Sequence, residues 1–162
     1  MRRSKAVPIV MRHSGSQAEV LVFAHPVAGT QLVKGTVEAG ESVVEAAVRE
    51  LAEESGIAGA VCVRDLGQWI PDPGDQVWHF WEMAVSHELP DAWSHVTADD
   101  GGHVFEFRWH PIAEPTSLSW HAVFRDALDF LRVRLAVLSA EEEFADDNPP
   151  AKIVETCTSK RR

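Results

Sequence analysis

Glu41, Glu50, Glu53 and Glu54, with Arg49 and Gly35 beside them, are the residues whose types and spacing could do chemistry. Glu50, Glu53 and Glu54 are related by i, i+3 and i+4, so on a helix their carboxylates share one patch. Three anions that close repel one another. The repulsion falls when divalent cations lie among the oxygens, and hard carboxylate donors suit Mg2+ or Mn2+. Magnesium usually keeps several waters and takes the rest of its shell from substrate phosphates. The chemistry implied is cleavage of a phosphoanhydride, with the diphosphate neutralised and polarised while a metal-bound or glutamate-activated water attacks phosphorus. Glu53, Glu54 and Arg49 form the candidate catalytic set, and Glu50, Glu53 and Glu54 the candidate metal set. Arg49 points off a different side of the helix from Glu53, so its planar donor fork is assigned to bracing Glu41 or a nearby carbonyl.

The element that must position these groups is a helix over 42–55. Ser42 can cap it and Glu45 completes a capping box. Val44, Ala47, Val48 and Leu51 recur at helical spacing as one apolar stripe, and Gly56 stands where a left-handed C-terminal residue is needed. A helix rich in Ala, Glu and Arg is ordinarily just a solvated helix. Here two glycines, a fixed loop length and five charged positions occur together.

The segment resembles the Nudix box, the signature of the Nudix hydrolases. Gly35, Glu41, Arg49-Glu50-Leu51, Glu53-Glu54, Gly56 and the aliphatic Ile57 fill every defining position. The resemblance implies an α/β fold, the Nudix-type α/β/α sandwich with a mixed central sheet. It also implies metal-dependent hydrolysis of a nucleoside diphosphate linked to another group. By similarity Glu50, Glu53 and Glu54 hold metal and activate water, Glu53 is favoured as base, and Gly35 and Glu41 shape the loop. Many relatives are homodimers, so a second copy is a possible partner. The alternative is a Nudix-fold sensor that binds such a ligand without turnover, and the intact glutamate set favours catalysis over it.

The 162 residues, 45% of them hydrophobic, suit one compact domain. A formal net charge of −10 argues against a broad nucleic-acid footprint, which needs clustered Lys and Arg. A small phosphorylated nucleotide held through cations remains compatible. Cys62 and Cys157 are read as reduced thiols of a cytoplasmic protein. The apolar run after Arg2, Arg3 and Lys5 is too short for a signal region, and no stretch is long enough to span a bilayer.

Strands are expected at 6–13, 19–24, 31–33, 60–70, 76–86 and 103–109, with a loop over 87–102 and a second helix over 119–138. In that helix Val123, Ala127, Phe130, Leu131 and Leu138 are expected to face the sheet. The domain is placed at 1–138, and the acidic, proline-containing segment 139–162 is read as a flexible tail.

Further candidates lie outside the box. Lys34 precedes Gly35 and can reach a phosphate. His25 opens a segment resembling the Nudix stretch near bound substrate, although a plain hairpin connection reads as well. Asp99 and Asp100 could supply a base or another carboxylate. Glu106 is added to the metal set because some Nudix enzymes recruit a ligand from this late strand. Among the six tryptophans, Trp69 or Trp81 is expected near a ligand. Pro71 and Pro73 match loosely the proline that ADP-ribose specialists carry beyond the box. The tyrosine expected of dinucleoside polyphosphate hydrolases is missing, since the chain has none.

Overall fold

The computed structural model describes residues 2–98 and 102–147. Among them the order is β1 (Arg3–Ser14), β2 (Gln17–His25), β3 (Gly29–Gln31), β4 (Gly35–Thr36), α1 (Val43–Ser55), β5 (Val61–Trp69), β6 (Gln76–Ala84), β7 (Ala92–Val96), β8 (Val104–Pro111) and α2 (Ala122–Asp147). The strands form a mixed sheet in the order β5-β6-β1-β2-β8-β7, with β3 on β2 and β4 on β1. Only β1 and β6 run parallel among the named pairings.

One irregularity in this sheet positions everything that follows. β1 pairs with β6 from Arg3 to Val10, but with β2 only from Met11 to Ser14, next to the hairpin turn. Upstream of Met11 the partners β1 and β2 part, and β4 pairs with Lys5 and Ala6 there. The loop leading to α1 is thereby anchored at the split in the sheet.

Strand alternation sends successive side chains to opposite faces, and each face carries its own helix. Val10, Phe23, Met83, Phe105 and Phe107 pack with Ala46, Ala47 and Leu51 of α1. Val7, Ile9, Val20, Val22 and Phe80 pack with Phe124, Ala127, Leu128 and Leu131 of α2. The architecture is the expected α/β/α sandwich. The buried stripe of α1 is rotated slightly from expectation: Ala46 is fully buried while Val44 is 38% exposed. Two adjacent alanines let the helix approach the sheet closely, and Val44 is left at the rim.

The strand expected at 31–33 is found at Gly29–Gln31, followed by the short β4 at Gly35–Thr36, and two further elements depart from the sequence reading. β7 lies inside the expected loop: Trp93 stacks on Phe107 at 5.1 Å and donates to the Ser55 carbonyl at 2.9 Å. An edge strand of five residues between turn formers has too little periodicity to be read. α2 runs to Asp147, past the expected stop at Leu138. The residues 136–143 are mostly strong helix formers, and Glu142 is tied to Arg64 of β5 at 2.6 Å. The side chains at 139–144 are exposed along this continuation of the helix. The rest of the expected tail, 148–162, lies outside the described residues, as does Cys157.

Candidate functional site

α1 begins and ends as its sequence requires. Glu45 N–H donates to Ser42 Oγ at 3.2 Å and Ser42 N–H donates to Glu45 Oε2 at 2.8 Å, a complete capping box. Gly56 closes the helix at φ 79°, donating to the Ala52 carbonyl. A Cβ there would lie 2.9 Å from His95 Nδ1, so both backbone and neighbour require glycine. β7 also holds this end, with His95 Nε2 3.0 Å from the Glu53 carbonyl oxygen.

Arg49 organises the loop and the helix together. Its Nε and one terminal nitrogen donate to the two oxygens of Glu41 at 2.8 and 3.0 Å, and the same terminal nitrogen reaches the Thr36 carbonyl at 2.9 Å. Its other terminal nitrogen donates to Glu50 Oε1 at 2.8 Å and Glu53 Oε2 at 2.9 Å. The expected brace on Glu41 and a carbonyl is present. The expected separation from Glu53 is not, because four residues along a helix are neighbours and one guanidinium spans both carboxylates. Glu41 further accepts from the Glu38 N–H at 3.0 Å. The Arg49 guanidinium, helped by that N–H, holds the Glu41 carboxyl down at about 2. The same contacts, Glu41 first, raise Arg49 above its ordinary value.

Gly35 provides the cradle. Glu50 is only 5% exposed, and a Cβ on residue 35 would fall 1.6 Å from its carboxyl carbon. The carboxylate therefore occupies the space that any other residue at 35 would fill. Glu54 is half-buried with one carboxylate oxygen sealed from solvent, and Glu53 is 44% exposed at the rim.

Cations face this acidic patch from the opposite side. Lys5, across the β1–β4 ladder, donates from Nζ to Thr36 Oγ1. Burial chiefly, with Arg3 adding, pulls its pKa down, while Glu50 opposes the shift. Lys34 is lowered by burial and then by Lys5, opposed by Glu54 and Glu50. Its Nζ sits 5.0 Å from the centroid of Trp78. Lys34 and Trp78 line a cavity of about 310 Å³ with Gln31, Asp72, Gln76 and His121. Val123 and Phe124 of α2 line it too, so the cavity lies on the α2 side of the sheet, with Lys34, the residue before Gly35, at its wall.

The structure brings Gly35, Glu41, Arg49, Glu50, Glu53, Glu54 and Lys34 to one end of the molecule. It does not bring Glu106 there. Phe105 and Phe107 face α1, so alternation turns Glu106 to the opposite, solvent-exposed face, where it accepts from Ser94 Oγ at 2.7 Å. His25 serves the turn after β2: its Nδ1 accepts from the Val27 and Ala28 N–H groups at 3.1 and 3.0 Å. The hairpin reading accounts for that geometry, and the His25 ring also packs against His103 and Phe105. Asp99 and Asp100 lie outside the described residues. Trp81 packs on the α1 face and Trp69 lies edge-on to Trp78 within the α2-side core. Trp78 is the tryptophan beside the cavity. Lys5 was missed because only the β1–β4 pairing carries it to the box. Pro71 and Pro73 also line the cavity, with the Asp72–Pro73 bond cis.

The residues fit a divalent cation. Glu41, Glu50 and Glu53 share one arginine, with Glu54 beside them on the helix, so the group carries an anionic surplus, and its donors are all hard oxygens. Among the described residues no three acidic, imidazole or thiolate groups are gathered closely enough to hold a metal ion by themselves. An open set suits an ion whose remaining shell comes from water and substrate phosphate.

The site stands in a two-helix sandwich around a mixed sheet, with a glycine-cradled glutamate on a capped loop-helix-loop. The NUDIX domain family matches residues 2–129, and the chain belongs to that family. It is similar to the Mycobacterium tuberculosis protein named MutT4, 34% identical over 92 residues, which cover 55% of this chain and 36% of that protein. It is also similar to Nudix hydrolase 25 of Arabidopsis thaliana, 28% identical over 135 residues, 82% of this chain and 64% of the relative. The match thus spans less than two thirds of either relative. A solved UDP-X diphosphatase superposes with a TM-score of 0.63 at 12% identity, over 85% of this chain and 64% of that one, a likeness of fold. No helix among the described residues is long and apolar enough to cross a membrane.

Proposed function

We propose that the protein is a divalent-cation-dependent hydrolase that cleaves the phosphoanhydride of a small nucleoside diphosphate derivative. The observation that carries this reading is the Glu50 carboxylate seated over Gly35, with Glu53 and Glu54 on the same helix. Glu50, Glu53 and Glu54 would hold Mg2+ or Mn2+, which when bound neutralises the diphosphate and polarises phosphorus toward attack. Glu53, at the exposed rim, is assigned as the base that takes a proton from the attacking water. Arg49 is a positioning residue, holding Glu41, Glu50 and Glu53 in register with the Thr36 carbonyl. Lys34 and Lys5 balance phosphate charge, and the cavity at Trp78 receives the nucleoside. Names among similar structures, UDP-X diphosphatase and Ap4A hydrolase, support a nucleotide-derived substrate. ADP-ribose and nucleotide sugars are the first compounds to offer. We place the protein in the cytoplasm.

The test is phosphate or nucleoside monophosphate release from ADP-ribose, nucleotide sugars, dinucleoside polyphosphates and nucleoside triphosphates with Mg2+ or Mn2+. Turnover with at least one, lost with EDTA and reduced at least a hundredfold in Glu53→Gln and Glu54→Gln, supports the hydrolase. Tight nucleotide binding without metal-dependent product overturns it in favour of a sensor.

A further inference from the structure

The last turn of a helix leaves carbonyl groups that its own ladder does not reach. In α1 the Gly56 N–H is taken by the Ala52 carbonyl at 2.9 Å. The next donor, Ile57 N–H, turns aside to Ser55 Oγ at 3.2 Å, and that hydroxyl donates back to the Leu51 carbonyl. The carbonyls of Glu53 and Ser55 are met instead by side chains of β7. His95 Nε2 lies 3.0 Å from the Glu53 oxygen, and Trp93 Nε1 donates to the Ser55 oxygen at 2.9 Å. A carbonyl only accepts, so His95 carries a proton on Nε2 in this contact.

Pairing register places both donors. Trp93 and His95 are two residues apart on a strand and leave it on the same face, the one that packs against α1. Their partners Ser55 and Glu53 are also two apart, in the reverse order. Trp93 pairs with Phe107 of β8 and stacks on its ring at 5.1 Å, and His95 pairs with Phe105. The imidazole lies against Gly56, where a Cβ would fall 2.9 Å from Nδ1 and 3.1 Å from Cε1. Arg49 holds the Glu53 carboxylate at 2.9 Å from the side-chain end, and His95 holds the same residue by its backbone. Helix ends fray, and fraying here would move Glu53 and Glu54 together.

We infer that His95, seconded by Trp93, is a positioning residue for the box carboxylates: it acts through the Glu53 backbone to keep the last turn of α1, and with it the Glu53 and Glu54 oxygens, in place for the cation and the attacking water. The inference rests on the proposed hydrolysis. Neither residue belongs to the box, and neither is assigned a contact with substrate.

Three variants of the full chain isolate the hydrogen bonds, with circular dichroism and urea unfolding confirming that each is folded. His95→Leu removes the donor, His95→Gln returns an N–H at the reach of Nε2, and Trp93→Phe keeps a ring on Phe107 while removing the indole donor. His95→Leu should lower kcat about tenfold with KM within about twofold, and weaken Mg2+ binding in calorimetry about tenfold. Hydrogen exchange at the Gly56 amide, read without metal or substrate, should quicken about tenfold as the last turn opens. Glutamine is more mobile than imidazole, so His95→Gln should return each quantity to within about threefold of wild type. Trp93→Phe should shift exchange in the same direction as His95→Leu, by less. A purely structural role would lower the unfolding midpoint and leave kcat and Mg2+ affinity unchanged in folded His95→Leu, and that result overturns the inference. Failure of His95→Gln to recover the loss overturns the hydrogen bond as its means. A wild type that turns over no substrate overturns the proposed function, whereas unchanged Gly56 exchange in His95→Leu overturns the clamp itself.

Discussion

Replacing Gly35 by alanine isolates the cradle from every other feature of the site. Its backbone is not in the left-handed region, so alanine is admitted conformationally, and the added methyl is the whole perturbation. That methyl would fall 1.6 Å from the Glu50 carboxyl carbon and 1.8 and 1.9 Å from its two oxygens. Real contacts are rarely under about 3 Å, so either the carboxylate or the loop must move by about 1.5 Å. Glu50 is buried and bonded to Arg49, which also holds Glu41, Glu53 and the Thr36 carbonyl, so the displacement spreads through the set. Misplacing a reacting group by about 1 Å costs on the order of a hundredfold. Overpacking itself costs about 1–3 kcal/mol of stability. Gly35→Ala should therefore lower kcat/KM about a hundredfold and weaken Mg2+ uptake measured by calorimetry, while the protein still melts cooperatively. Gly40→Ala is the control: its φ of 83° makes alanine strained, yet no atom lies within 4 Å of the added methyl. It should lose about 1 kcal/mol of stability and little ion affinity. Wild-type ion uptake and turnover in folded Gly35→Ala would refute the cradle.

Arg49→Lys keeps the charge but cannot reproduce five donor contacts made from one planar fork, so kcat should fall at least tenfold in steady-state assays with the substrate KM nearly unchanged. His79 sets a pH dependence of stability. Its Nε2 is buried without a hydrogen-bond partner, and burial, opposed by Asp65, depresses its pKa below 6.5. The unfolded chain therefore takes up a proton below 6.5 that the folded chain resists, and stability falls with pH from there toward the lowered folded value. Urea unfolding at pH 7.5 and 5.5 should show a smaller loss in His79→Gln than in wild type, and equal losses would exclude this imidazole as a source.

The legible part of the site was local. A capping box, a left-handed glycine and carboxylates at i, i+3 and i+4 are properties of one helix and the loop before it, and short-range geometry set by residue type reproduces them in the fold. Arg49 was read on the right partner, Glu41, but its second partner, Glu53, follows from the same helical spacing and went unread. Glu106 shows why a lone strand residue resists assignment: alternation offers two faces, and only the burial of Phe105 and Phe107 against α1 decides between them.

By itself the sequence determined the box, its helix, the acidic donor set and the family these imply, because each is encoded within a turn or two of backbone. Tertiary structure alone decided that β4 enters the split between β1 and β2 and sets Lys5 beside Glu50. It also decided that Trp78 meets Lys34 at the cavity, that β7 clamps the end of α1, and that α2 continues to Asp147. Those outcomes depend on pairing register and packing between segments far apart in the chain, where one residue's slip would turn every side chain to the other face.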